Sequence, residues 1–252
     1  MSLVITYLSG LAFNLISGLL FTLGERLRPF RAIPYRRRLL RDFGALAYVW
    51  VLFVSFVWIE DELFKGSSLA ERMTPQAMRD TPLWVRIVVF YVIYDFLSYW
   101  AHRLMHRPGV WKTHAWHHSP SDIWWLSGCR GSLIHVALYR LAGLVVLLCL
   151  FSPIVTMLIS VEMILSNSWM HWNVRWYAWM RHLEIIFVTP RFHHLHHGVG
   201  PEFHDMNFGS RFTIWDRWFG TFLDPDQVDP ARLHFGVSER DRPTLIGAAI
   251  GL

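Results

Sequence analysis

Hydrophobic and polar positions along this chain fall into long blocks rather than the short amphipathic periods of a water-soluble fold. Met1 to Gly24 carries no charge and, at about 1.5 Å per helical residue, is long enough to cross about 30 Å of hydrocarbon. The positive charges follow this run instead of preceding it, as they would in a cleaved leader, so it reads as a retained first span. Glu25 to Asp42 then holds seven arginines against two acids, and Phe43 to Ile59 is a second uncharged run. Glu60 to Pro82 is a polar loop with five acids against three bases. Leu83 to Trp100 predicts a third span, apolar except for Arg86 and Asp95. A last apolar stretch begins at Leu133 and is divided by Pro153, and because proline breaks the helical ladder it predicts a tight hairpin, Leu133 to Phe151 and Ile154 to His171. The polar, aromatic sequence after Arg175 predicts loops and short helices, and Thr244 to Leu252 is too short to span and reads as a frayed tail.

Charge orients these blocks. The positive-inside rule puts the arginine segment in the cytoplasm, and an even number of crossings brings every later histidine cluster back to the same face. The expectation is an all-α, multi-pass integral membrane protein with about four transmembrane helices in two hairpins and a cytoplasmic histidine-rich helical cap, in one domain over 1–252. Composition agrees: of 252 residues 53% are hydrophobic and only 17% charged, against about 25% charged in ordinary soluble domains. The net charge of +5 is concentrated in RLRPFRAIPYRRRLLRD, which suits anionic headgroups or sets orientation. It has no aromatic-interleaved basic groove and lies between apolar spans, which argues against nucleic acid as a partner. Cys129 and Cys149 make no disulfide framework and read as packing residues.

The histidines change the picture most. Five of the fourteen fall in YDFLSYWAHRLMHRPGVWKTHAWHH, Tyr94 to His118. On a helix His102 and His106 share a face, with Asp95 and Ser98 below them, while His114, His117 and His118 stand at i, i+3, i+4. A third cluster, HHLHH, ends the inventory with His193, His196 and His197. Neutral imidazole is the commonest protein ligand for iron, zinc and copper, and these spacings let several rings converge. Two adjacent metals need about eight to ten nitrogen donors, where a single tetrahedral zinc would take four at most; the three clusters with His171 supply nine.

The order HRLMH, HAWHH, HHLHH, with flanks YDFLSYWAHR, TPRFHHLHHG and NFGSRFTIWDRWFGTF, resembles the fatty acid hydroxylase and sterol desaturase superfamily of membrane di-iron oxygenases, over about 91–222. The resemblance implies two iron ions, replaceable by zinc in preparations, held by His102, His106, His114, His117, His118, His171, His193, His196 and His197. It implies O2-dependent hydroxylation of a sterol, fatty acyl or related lipid. Electrons would come from an external donor, a cytochrome b5-like protein or a ferredoxin and its reductase, because no haem or flavin domain is recognisable in the chain. Some members carry a further histidine where this chain has Asn167, leaving His135 and His204 as candidates for a tenth donor. His194 points about 100° away from His193 and is set aside, as are His182 and His234, which read as surface residues. Asp95 could accept the second N–H of a ligand ring and fix its tautomer, and Asn207 and Asp216 read as residues that brace the cap. Desaturation with the same metal centre stays open, since spacing does not reveal how a substrate sits. So does a non-catalytic metal-binding or transport protein, although transport calls for ligands at the membrane midplane and these histidines follow the ends of spans.

Overall fold

A computed structural model describes residues 3–64, 75–145, 149 and 153–252, and every extended element among them is helical. The long helices are α1 (Leu3–Leu27), α2 (Tyr35–Phe64) and, after the short α3 (Gln76–Arg79), α4 (Leu83–Met105). The shorter α5 (Lys112–His118), α6 (Leu133–Gly143) and α7 (Pro153–Met170) follow. The last part of the chain holds α8 (Met180–Leu183), α9 (Pro190–His196), α10 (Ile214–Phe219) and α11 (Leu245–Ile250). Isolated bridges such as Phe187 with Phe212 and Gly198 with Phe235 tie the loops between them.

Among the described residues two stretches are long and apolar enough to cross a membrane, Arg38–Glu60 and Leu83–Met105. Two boundaries differ from expectation. Helix α2 runs from Tyr35 to Phe64, so Arg36, Arg38 and Arg41 extend the second span as helix instead of lying in a connector; no proline follows Pro34 to stop the helix, and arginine is a good helix former. The outgoing leg of the proposed hairpin is not continuous helix: α6 ends at Gly143, a turn follows at 144–145, and Cys149 is again helical. The tip of that hairpin, 146–148 and 150–152, lies outside the described residues, as does part of the polar loop, 65–74. The return leg starts at Pro153, where proline's missing N–H would have had no partner within the helix anyway.

Helix α1 packs on α7, and α6 packs on both α2 and α4. Phe90 and Tyr94 of α4, Ala142 of α6, Ile159 of α7 and Cys149 before it belong to one buried apolar cluster. A second joins Leu46 of α2 to Trp124, Trp125 and Leu126 of the loop after α5. That loop is also bound by carboxylates of the first two helices. Glu25 accepts from the amides of Trp125 (2.8 Å) and Asn173 (3.0 Å), and Asp42 accepts from the Trp124 indole (2.7 Å). The arginine-rich ends of α1 and α2 thus share one end of the bundle with the histidine-bearing loops, and an Arg38–Asp122 ion pair adds to the connection.

The C-terminal segment is not a frayed tail. Thr244 caps α11 by accepting from the Gly247 amide (3.0 Å), and the helix packs on α5. Gly251 seats it: the residue has φ +86°, and a Cβ there would stand 2.7 Å from Ser132 Oγ.

Candidate metal centre

Helical spacing brings the histidines to two points. His102 and His106 end α4, His114 and His118 end α5, and together with His196 of α9 their ligating nitrogens lie within 4.8 Å of one another. His117, His171, His193 and His197 form a second group within the same limit. Each i, i+4 pair shares a helical face and stays in one group. His117 and His196 stand one residue from a member of the other group, and the rotation of about 100° per residue turns each ring to the opposite side. An adjacent pair of histidines therefore serves both groups, and this occurs once in HAWHH and once in HHLHH.

Main-chain carbonyls orient the rings. Nδ1 of His102 donates to Phe208 O (2.8 Å), Nδ1 of His117 to Arg130 O (3.1 Å), Nδ1 of His171 to Asn167 O (2.9 Å) and Nδ1 of His196 to Met206 O (2.8 Å). A carbonyl only accepts, so each of these neutral rings carries its proton on Nδ1 and bares a lone pair at Nε2. His117 and His171 then face each other with Nε2 atoms 3.3 Å apart, and His193 Nε2 stands 3.2 Å from His171 Nε2. Two nitrogens about 2.1 Å from one ion and at right angles would be about 3.0 Å apart. The buried Nε2 atoms of His106, His118 and His196 have no hydrogen-bond partner. Lone pairs directed at one another fit a cation between them and fit nothing else in the surroundings, so the donor set suits a bound metal in each group.

Burial holds the rings of His114, His117, His118, His193, His196 and His197 well below the ordinary imidazole range, and neighbouring rings push the same way. Depressed folded-state values mean that the unfolded chain binds more protons, so stability is complete above about pH 6.5 and declines as pH falls below it. Each ring that charges only on unfolding costs about 1.4 kcal/mol per pH unit. Asp216, pushed up to about 7 by burial, acts in the opposite sense and offsets part of this. Unfolding of metal-free protein followed by tryptophan fluorescence between pH 8 and pH 5 should show the midpoint falling with acidification.

Outside the two groups, His135 places Nδ1 2.9 Å from Nδ1 of His114 and lines the adjoining cavity, as a neighbour of that ring. His204 is exposed, removed from both groups by its position in the loop after α9. His194 is buried against Trp176, whose Nε1 donates to its Nδ1 (3.2 Å), while His182 and His234 are exposed. Asn167 contributes its carbonyl to His171. Gly128 makes room for the same ring, since a Cβ there would lie 2.4 Å from His171 Nδ1.

Asp95 does not touch a ligand ring. Its carboxylate accepts from the amides of Arg211 (2.9 Å) and Phe212 (3.0 Å) and from the Trp215 indole (3.0 Å), because the 208–215 loop lies between the aspartate and the cap. The carbonyl of Phe208 takes the role expected of it. Asp216 fixes that peptide by accepting from the amides of Phe208 (2.7 Å) and Gly209 (2.8 Å). Asn207, at φ +58°, ties the loop to Phe192 O (3.1 Å) and to both polar atoms of the Leu223 backbone. Asp95→Asn replaces an acceptor by a donor among three donors and should cost about 1–3 kcal/mol; thermal melts with metal analysis of the surviving fold would check this.

Sequence reasoning did not find the carbonyls, since any residue supplies one. It also missed Arg191, which α9 depends on: its guanidinium bonds both oxygens of Glu184 (2.8 and 2.8 Å) beside the Thr189 N-cap. A cavity of about 170 Å³ opens beside His102, His117, His171 and His193, bounded further out by Tyr139, Met163 and Arg211. Arg211 is held by Glu162 (3.1 Å) and stacked on Tyr94.

Residues 87–221, more than half of the chain, match the fatty acid hydroxylase family. The chain belongs to that family. Among curated fatty acid hydroxylase relatives, an ornithine lipid hydroxylase from Rhizobium tropici is 32% identical over 161 residues, covering 62% of this chain and 47% of its own length. The human alkylglycerol monooxygenase is 32% identical over 130 residues, 51% of this chain and 28% of the relative. That of Caenorhabditis elegans is 31% identical over 157 residues, 60% and 29%. The chain thus spans less than half the length of each of these relatives. No solved structure matches it.

Proposed function

We propose that this fatty acid hydroxylase family member is an O2-dependent di-iron hydroxylase of a membrane lipid. The observation that carries the reading is the facing of His117 and His171 through unprotonated Nε2 atoms at 3.3 Å, each fixed by a carbonyl behind it. On this reading one iron is bound by His102, His106, His114, His118 and His196, and the other by His117, His171, His193 and His197. Bound iron would activate O2, with two electrons from a separate donor, so that one oxygen atom enters an unactivated C–H bond and the other leaves as water. The chain's own residues hold neutral rings in place, keep the carbonyl-bound protons on Nδ1, and shape the cavity beside His102 and His193. A lipid carbon seated there would lie next to both groups. The hydroxylase and monooxygenase names of the relatives support this class of reaction.

The membrane arrangement belongs to the same proposal. About four spans, in which the α6–α7 hairpin leaves and returns to one face, would place the histidine cap on the cytoplasmic side, supported by the arginines that share its end of the bundle.

Anaerobic iron reconstitution followed by lipidomics of cells expressing wild type or His117→Ala tests the function. Wild type should accumulate a lipid heavier by one oxygen that is absent from the variant. A product lighter by two hydrogens would instead make it a desaturase, and identical lipids in both strains, with full expression and bound iron in wild type, would overturn the enzyme reading in favour of a metal-binding or transport role.

A further inference from the structure

The histidine centre does not account for a groove of about 350 Å³ between α1 and α2, floored by Trp124 and Trp125. Its walls are apolar and open: Leu15 and Leu19 on α1 and Leu39 and Phe43 on α2 are all exposed. Gly18 lets the floor approach, since a Cβ there would stand 2.2 Å from the Trp125 ring. From Leu15 to Arg26 the groove follows α1 for about 16 Å, close to the roughly 15 Å hydrocarbon depth of one leaflet. A groove of that length between exposed apolar faces of two helices suits a hydrocarbon chain laid along them.

The polar end is equally specific. Other polar atoms of the lining are engaged: Thr22 Oγ accepts from the Trp125 indole (2.8 Å), and the Tyr35 hydroxyl donates to Glu25 (3.1 Å). Arg26, in the last turn of α1, is the one cation of the lining. Both acids nearby in sequence are committed, Glu25 to the Trp125 and Asn173 amides and Asp42 to Arg130. Among the described residues no carboxylate lies within ion-pair distance of Arg26, Arg28, Arg36 or Arg41. An apolar channel ending at an unneutralised arginine matches a lipid with a negative headgroup.

We propose that the α1–α2 groove binds one acidic glycerophospholipid, its acyl chain between Leu15 and Phe43 and its phosphate on Arg26. The site is separate from the metal centre, contains no histidine, and rests on the membrane reading above only for its access to lipid. Delipidated full-length chain in detergent is titrated with phosphatidylglycerol or with phosphatidylcholine of the same acyl composition, and retained lipid is counted by native mass spectrometry. One phosphatidylglycerol per chain, bound at least tenfold tighter than phosphatidylcholine, is expected. Arg26→Glu should abolish the preference, and Leu19→Trp, which fills the channel, should remove retention of both lipids. Unchanged metal content in each variant certifies the fold, and His117→Ala should keep the lipid. Equal retention of the two lipids, indifference to Arg26→Glu, or displacement by inorganic phosphate alone would overturn the site. Flotation with phosphatidylcholine vesicles reports membrane insertion independently, so failure there is distinguishable from failure of the groove.

Discussion

A chain carrying His193→Ala should bind about one iron instead of two and lose product formation, while His196→Ala should keep both irons with weakened affinity and lose most of its activity. The asymmetry follows from the donor count. His193 belongs to a group of four, His196 to a group of five, so truncation leaves three donors in one case and four in the other. His193 also faces two partners, with Nε2 atoms 3.2 Å from His171 and 3.1 Å from His197. Loss of a residue that merely orients a ligand typically costs 10–100-fold in metal affinity, and loss of a ligand from the smaller set should exceed that. Elemental analysis of purified, reconstituted protein beside lipid product yield checks both numbers. An equal metal count in the two variants would contradict the division into groups of five and four.

Asp42→Ala should lower the denaturation midpoint by roughly 10 °C or more, the largest stability effect expected of any single substitution outside the histidines. Asp42 and Arg130 are both fully buried, with Asp42 Oδ1 2.6 Å from two guanidinium nitrogens. Removing one partner strands the other charge and costs about 3–5 kcal/mol, and each kcal/mol is worth about 2–4 °C in a protein of this size. The damage should spread to the metal centre, because the carbonyl of Arg130 holds His117. Asp42→Leu combined with Arg130→Met removes both charges together and should recover much of the stability, which separates stranded charge from lost packing. Scanning calorimetry or fluorescence melts of the three variants, with iron content, give the readout.

Much of the candidate site was legible because its donors are a rare residue type at helical spacing. The three clusters announce which rings can meet, and His171 was reachable by following an apolar hairpin back to its starting face. The division between the two groups is harder to read, since His117 and His118 look equivalent in sequence and only the 100° step between them decides where each ring points. Asp95 misled for a related reason. Its place on the stripe of His102 is real, yet the 208–215 loop, whose path no periodicity encodes, takes up its carboxylate. In the fold, all-helical character and the apolar blocks followed from composition and pattern. Helix ends did not: a turn at 144–145 follows α6, and α11 docks through Gly251 against Ser132, a contact more than one hundred residues away in sequence.

The sharing of HAWHH and HHLHH between both groups has a mechanical consequence. His117 with His118, and His196 with His197, tie the two groups together through single peptide links about 3.8 Å long between Cα atoms. On the proposed di-iron reading, the spacing of two ions would then be gauged by covalent geometry at two independent places. A twist of α5 or α9 that drew one ion's donors inward would carry the other ion's donors away. The two donor sets behave as a caliper locked from both sides, whose gap is kept by the backbone itself.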